Sequence, residues 1–368
     1  MWIENLEISD FRNFKNLKIS FGDKINLFVG DNAQGKTNII EAVHLLSTTK
    51  SFRAGKDLEL INWGSEHALL AGTVGPHKIK TIVTREGKRV FLDNNENKKQ
   101  RIIGLFPIVL FSPESIEVVS GPPDRRRRFL DQVLSVTDKT YLYHLARFGQ
   151  VMKRRNKLLW LEREGFPQDF SVWDRQLVDS GNLVWKARIS FYHYANNLLK
   201  KIGRGLSGSE IRINYRPFAE AVVKDEEIGD FFAQNLAKRK KIDVERGLTS
   251  FGPHRDDFRV LLEIFKDNEI LEEDIGTFGS RGEQRIATLA LKLVETNYIE
   301  KVRGEKPTLL LDDILSEFDK NNREHILEVV YRQQSIITAT SKEFFPNKVL
   351  ERAKIYSVKD GGVSEVKR

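Results

Sequence analysis

The stretch Gly30-Asp31-Asn32-Ala33-Gln34-Gly35-Lys36-Thr37 constrains this chain more than any other, because it satisfies G-x-x-x-x-G-K-[ST] in full. The apolar run Ile25 to Val29 before it reads as a buried strand, and Ile39, Ile40, Val43 and Leu46 after it fall at helical spacing. Strand, glycine loop and helix form the context that separates a phosphate-binding loop from a chance match. Gly30 and Gly35 let the backbone curl so that successive N–H groups face a phosphate at the positive end of the helix. The pattern assigns Lys36 to the β- and γ-phosphates and the Thr37 hydroxyl to Mg²⁺. Asp31, Asn32, Ala33, Gln34 and Asn38 join them as candidate contacts to a nucleoside triphosphate, and the expected architecture is α/β.

At 368 residues the chain exceeds one typical core, so a large domain with an insertion, or two domains, is expected. Trp2 to Ile8 and Leu17 to Phe21 alternate as two antiparallel strands, joined through Asp10-Phe11-Arg12-Asn13-Phe14. Arg12, between two aromatics and one hairpin from the loop, either leans on the nucleotide or is a surface turn arginine. Short strands separated by Gly and Asn turns follow at 68–74, 79–84 and 89–93, then a buried strand at 107–111. From Asp124 long helical patterns take over: Leu142, Leu145, Phe148 and Met152 share one stripe, and Trp173, Leu177, Val184, Phe191, Leu198 and Ile202 another. A break near Gly165-Phe166-Pro167 makes an antiparallel helical hairpin the simplest reading. Strand character returns near Leu248, which divides the chain into 1–120, a helical insertion over 121–246, and 247–368.

Composition narrows the function. There is no cysteine, so neither disulfides nor thiolate metal sites are available, and the seven histidines show no metal-binding pattern. No apolar run reaches the roughly 18 residues of a membrane span, and no apolar leader is present, which predicts a cytoplasmic protein. Sixty Lys and Arg against fifty-two Asp and Glu give a formal charge of +8, a balance that permits a polyanionic partner. The cations cluster on the insertion: Arg125, Arg126, Arg127 and Arg128; Lys153, Arg154, Arg155 and Lys157; Lys200-Lys201; and Lys238 to Lys241. Any one cluster could be a solvated helix face; four in one segment point to phosphate contacts. Without the repeated aromatics of a single-strand stacking platform, contact with the backbone of duplex DNA is the safer expectation.

Two further elements bear on nucleotide chemistry. Gly279-Ser280-Arg281-Gly282-Glu283-Gln284-Arg285 leads into a strong helix over 286–300, as a second phosphate site or a plain serine-capped helix would. Thr308 to Asp313 is an apolar strand ending in two acids. Asp312, at its carboxyl end, suits Mg²⁺ coordination through water, and Asp313 is placed to orient or deprotonate the attacking water. Ser335 to Thr340 supplies another core strand, and 355–366 a closing hairpin.

Taken together, GDNAQGKTN after FRNF, GPHRDD at Gly252 to Asp257, GSRGEQR at Gly279 to Arg285 and LLLDDILSEFD at Leu309 to Asp319 resemble the ABC-type ATPases of the structural-maintenance-of-chromosomes branch, and within it the RecF family of bacterial recombination mediators. The resemblance covers nearly the whole chain. It implies an ABC-type head with a mixed parallel core sheet and an antiparallel β-subdomain, interrupted by a helical lever arm. It makes Ser280, Gly282 and Glu283 part of a signature motif, and Ser316 to Asp319 a D-loop crossing a dimer interface. In that family two copies pair head to tail on ATP, each Ser280 segment closing over the partner's nucleotide, and hydrolysis releases them. Family partners are DNA, including gapped and single-stranded forms, with RecR and RecO; the role is loading recombinase in repair, replication and the SOS response.

Two departures are visible. The wider pattern has Glu where this chain has Asp313, and a switch histidine where this chain offers Thr338 to Ser341. Both imply slow, timer-like hydrolysis. The loop expected to carry a Mg²⁺-ligating glutamine belongs near Ser112 to Glu117. The alternatives are the motor subunit of an ABC transporter, which should have that histidine and an arm fitted to membrane domains; a chromosome tether, whose arms need far more residues; and a nuclease-associated ATPase, for which no clustered metal ligands are seen.

Overall fold

In the computed structural model, which describes residues 2–216, 227–266 and 269–366, the alternating N-terminal segment forms β1 (Ile3–Phe11) and β2 (Phe14–Ser20), paired antiparallel. The phosphate loop joins β3 (Ile25–Val29) to α1 (Lys36–Thr48). The short strands β4 (Ala68–Val74), β5 (His77–Thr84), β6 (Gly87–Leu92) and β7 (Asn95–Asn97) add to β1 and β2 in one six-stranded antiparallel sheet, ordered β2-β1-β4-β5-β6-β7. β8 (Ile108–Phe111) is buried along its whole length, as its unbroken apolar run requires. Contacts then group the chain into two units, Met1–Ser115 with Glu295–Arg368, and Ile116–Val294.

The second unit is built on α2 (Pro123–Thr137), α3 (Lys139–Arg163) and the 37-residue α4 (Ser171–Ser207), with the helical hairpin breaking where Gly165-Phe166-Pro167 does. The buried stripe of α4 runs through Leu177, Val184, Arg188, Phe191, Ala195, Leu199 and Gly203. It therefore passes one residue beyond the expected Leu198 and Ile202. Gly203 is where the returning chain crosses closest: a Cβ there would lie 2.7 Å from the Ser209 carbonyl oxygen. The chain then forms β9 (Ile211–Arg216), α5 (Ile228–Lys238) and α6 (Lys240–Arg246) before β10 (Asp257–Lys266) and β11 (Glu269–Asp274). β9 and β11 flank β10 in an antiparallel sheet. That pairing, between a strand within the helical segment and strands after it, makes the contact unit wider than the change in sequence character at 247 suggests.

α7 (Arg281–Arg303) leads back to β12 (Thr308–Asp312), α8 (Lys320–Val330), β13 (Ser335–Ala339), β14 (Ala353–Lys359) and β15 (Gly362–Glu365). The core sheet is ordered β15-β14-β3-β13-β12-β8, parallel except for the terminal hairpin strand β15. Helix α1 packs against strands of both sheets of this unit and is buried nearly all round from Ile39 to Ser47. Each fully buried Ile or Leu on it contributes about 2 kcal/mol of transfer free energy. The helix that begins at the phosphate loop is thus locked from both sides, which fixes the loop. Among the described residues no helix is long and apolar enough to cross a membrane.

Candidate functional site

The loop between β3 and α1 is braced on its outer side by two hairpin turns. Gln34 Oε1 accepts the Asp360 N–H (2.6 Å) from the β14–β15 turn, and Asn13 of the β1–β2 turn donates its side-chain amide to the Gln34 carbonyl (3.1 Å). Gly30 is obligatory for space, since a Cβ there would lie 2.2 Å from the Val358 carbonyl oxygen. Gly35 is obligatory for conformation: its φ of 108° is in the left-handed range and its Cα faces the Asn13 amide. Lys36, 3 % exposed, donates its ammonium to the carbonyls of Gly30 (2.8 Å) and Asp31 (3.0 Å), so the cation sits across the mouth of the loop. Asn32 and Ala33 are exposed at its crest.

Strand register delivers the acids. β12 and β13 run parallel with Asp312 opposite Thr338. The Thr37 hydroxyl, in the first turn of α1, donates to Asp312 Oδ1 at 3.0 Å, and the Thr338 hydroxyl donates to the same oxygen at 2.8 Å. Burial pushes the Asp312 carboxyl up to about 6, with Asp313 and Glu114 adding to the rise and the two threonine hydroxyls opposing it. Asp313, next along, has left-handed backbone (φ 49°) and its carboxylate lies 3.7 Å from Lys36 Nζ. Its N–H is caught by Thr338 Oγ1 at 3.0 Å. A hydroxyl and a carboxylate, oxygen donors only, fit Mg²⁺ that arrives on phosphate oxygens and keeps most of its water. Among the described residues no group of three or more His, Cys, Asp or Glu could hold a metal unaided.

Arg12 is committed to protein groups. Its guanidinium pairs bidentately with Glu41 of α1 (2.9 and 2.8 Å) and donates to the Glu59 carbonyl (2.7 Å). Glu41 is fully buried and also accepts from Ser51 (2.5 Å) and Arg53 (3.0 Å). Burial opposes its charge, yet the hydrogen bonds and the two guanidiniums hold its carboxyl below the usual range. Arg53 and Asn13 meet on the side chain of Asn38. The sequence singled out Arg12 and Asn38 but not Glu41, Asn13, Thr338 or Asp360. An acid within the apolar run Ile39 to Leu46 was the available signal for Glu41; Thr338 shows only as one residue near the end of a core strand.

In the second unit, Ser280 and Glu283 cap α7 reciprocally: the Ser280 N–H and hydroxyl both donate to Glu283 Oε2 (2.7 Å each), and the Glu283 N–H points back to Ser280 Oγ (3.3 Å). Ser280, Arg281 and Gly282 are exposed, and a Cβ on Gly282 would meet nothing nearer than 3.9 Å.

The structure separates the candidate DNA contacts. Arg155 is fully buried, paired with Asp174 (2.7 Å) and Asp243 (2.8 Å), and offers no charge to a polyanion. That corrects its assignment: its helix position faces inward, toward carboxylates distant in sequence. Arg126 is bidentate to Asp257 and Arg127 donates to the Asp256 carbonyl, so both serve internal bonds. Arg125 pairs with Glu117 and Arg128 with Asp124, at the surface. Lys153, Arg154 and Lys157 are exposed, Arg154 lying over the Trp173 ring.

The family model described as the RecF/RecN/SMC N terminal domain matches residues 2–364. Among curated relatives, the DNA replication and repair protein RecF of Oceanobacillus iheyensis is 35% identical over 377 residues, covering 99% of this chain and 100% of the relative. That of Clostridium novyi is 37% identical over 374 residues with the same coverage. Among solved structures, the recombination mediator protein RecF with ATP in the RecFOR pathway superposes with a TM-score of 0.90 at 32% identity, over 100% of this chain and 98% of that one. An Smc head bound to the C-winged helix domain of ScpA, at 17% identity and TM-score 0.55, shares the fold.

Proposed function

The chain belongs to the RecF family, and from that premise we propose that it is an ATP-dependent DNA-binding protein of recombinational repair and replication, with ATP hydrolysis as a timer. The observation that carries the reading is the convergence of Lys36, Thr37, Asp312 and Asp313 on one loop, with the Thr37 hydroxyl 3.0 Å from Asp312. Lys36 would leave the Gly30 and Asp31 carbonyls for the β- and γ-phosphates, and loop N–H groups would take the phosphate oxygens. Thr37 and Asp312 would hold Mg²⁺, which when bound offsets phosphate charge. Asp313 would orient the attacking water, one methylene shorter than the glutamate of the wider pattern, which favours slow turnover.

ATP would join two copies head to tail, with the exposed Ser280 turn of each closing on the other's γ-phosphate. Loss of that phosphate would strip the signature donors of their partner and release the pair. Ser280→Arg tests this directly. ATP binding should persist while ATP-dependent dimerisation, read by light scattering, disappears; an ATP-induced Ser280→Arg dimer would sink the shared-site model.

For DNA the proposed surface is the exposed part of the helical insertion over 121–246: Lys153, Arg154 and Lys157, together with Arg125 and Arg128. Binding to duplex should weaken with salt, and Lys153→Ala with Lys157→Ala should lower the log–log salt slope by about one per lost phosphate contact. An unchanged slope would move the surface elsewhere. Loading of recombinase at gapped DNA, with RecR and RecO as partners, and support of the SOS response complete the proposal on family grounds.

A further inference from the structure

We infer that Thr338 is a positioning residue for hydrolysis, fixing Asp312 and Asp313 to one another through a single hydroxyl. The inference rests on the reading of this site as an ATP-hydrolysing one. Thr338 is 2 % exposed at the carboxyl end of β13, directly across the parallel ladder from Asp312. Its one proton goes to Asp312 Oδ1 at 2.8 Å, the Leu311 carbonyl at 3.4 Å being the poorer acceptor. Its lone pair receives the Asp313 N–H at 3.0 Å. Both hydrogen-bonding roles of the hydroxyl are therefore used, one on each acid.

The second bond carries the consequence. β12 ends at Asp312, so the Asp313 N–H has left the ladder, and Asp313 adopts a left-handed backbone that a non-glycine residue enters at a cost. Thr338 is what holds that N–H in place. The same backbone turn aims the Asp313 carboxylate at Lys36, 3.7 Å away, where a γ-phosphate would lie. Meanwhile Asp312 Oδ1 receives Thr37 from one side and Thr338 from the other, so the cation-binding acid and the water-orienting acid are set by one side chain. Without the hydroxyl, Asp313 is free to relax toward ordinary backbone geometry and its carboxylate swings off line. A displacement of about 1 Å in a reacting group can cost 100-fold in rate while leaving ground-state contacts alone.

The test compares Thr338→Val, which keeps shape and removes the hydroxyl, with Thr338→Ser, which keeps the hydroxyl. In the full chain, kcat and KM for ATP hydrolysis are measured beside the affinity for a fluorescent ATP analogue and the persistence of the ATP-induced dimer by light scattering. Thr338→Val should lose about 10- to 100-fold in kcat, keep nucleotide affinity within about threefold and prolong the dimer, whereas Thr338→Ser should stay within about threefold of the parent in all three. Parental kcat in Thr338→Val overturns the inference. So does a joint loss of binding and rate that Thr338→Ser fails to restore, since that marks a merely structural residue. A parent chain that binds ATP but never hydrolyses it would instead defeat the hydrolytic reading on which the inference rests.

Discussion

Lys36→Ala is expected to abolish nucleotide binding at working concentrations, with ATP affinity weaker by about 30- to 3000-fold by equilibrium dialysis and the ATP-induced dimer lost with it. Removing one partner of a buried, charge-assisted pair costs about 2–5 kcal/mol, and every 1.4 kcal/mol is tenfold. Lys36 is the cation held across the loop mouth, 2.8 and 3.0 Å from the Gly30 and Asp31 carbonyls, and it stands between them and Asp313. In the absence of nucleotide the substitution should cost little stability. The carbonyls it leaves belong to exposed or half-exposed residues that water can serve, while the loop is still braced by Asn13 and Asp360. The discriminating measurement is therefore the shift of the thermal midpoint on adding ATP, which measures ligand bound to the folded state. Lys36→Ala should show no shift and an unchanged midpoint without ATP. A variant that still gains stability from ATP would remove this loop from the nucleotide site.

The site was readable in the sequence to the extent that its residues are local or end an apolar strand. Gly30 to Thr37 is one contiguous motif, and Asp312-Asp313 closes a run of four apolar or β-branched residues, so both could be set on elements before any contact was known. What was not readable depends on register between distant strands. Thr338 matters because β13 lies beside β12 with these two residues opposite, and nothing in the tetrapeptide around it signals that. Charge patterning failed in a related way: Lys153 to Lys157 is one basic cluster in the sequence, yet Arg155 turns into the core while its neighbours stay outside. Its partners Asp174 and Asp243 lie on other helices, so a count of charges along α3 could not distinguish it. The same holds for Arg188 in the middle of an otherwise apolar stripe of α4.

Asp256→Ala should destabilise the second unit by about 3–5 kcal/mol, because it takes an acceptor at once from the buried Arg188 guanidinium, the Trp185 indole N–H and the Tyr215 hydroxyl. Asp256 accepts the Trp185 indole N–H (2.9 and 2.8 Å), Arg188 (2.8 Å) and the Tyr215 hydroxyl, and it is 2 % exposed. Arg188 would keep Asp131 and the Pro253 carbonyl, but its charge is equally buried. A loss of that size is a large share of the 5–15 kcal/mol typical of a folded domain, so urea unfolding should show it plainly. The pH dependence sharpens the assignment. Burial outweighs Arg188 and the hydrogen bonds and pushes the Asp256 carboxyl up to about 6, so its contribution to stability is full below about 4 and is lost as pH rises through 6. Burial, aided by the charges of Arg255 and Arg127, depresses His254 to about 4 from 6.5, so its contribution is present above 6.5 and lost as pH falls through 4. Between pH 4 and 6 the two slopes oppose one another. Asp256→Asn retains the size and removes one of them, so across that window its stability should rise with pH relative to that of the parent by up to about 1.4 kcal/mol per unit. Parallel pH profiles for parent and Asp256→Asn would show that Asp256 is already ionised throughout the window and that the ion pair with Arg188 outweighs its burial.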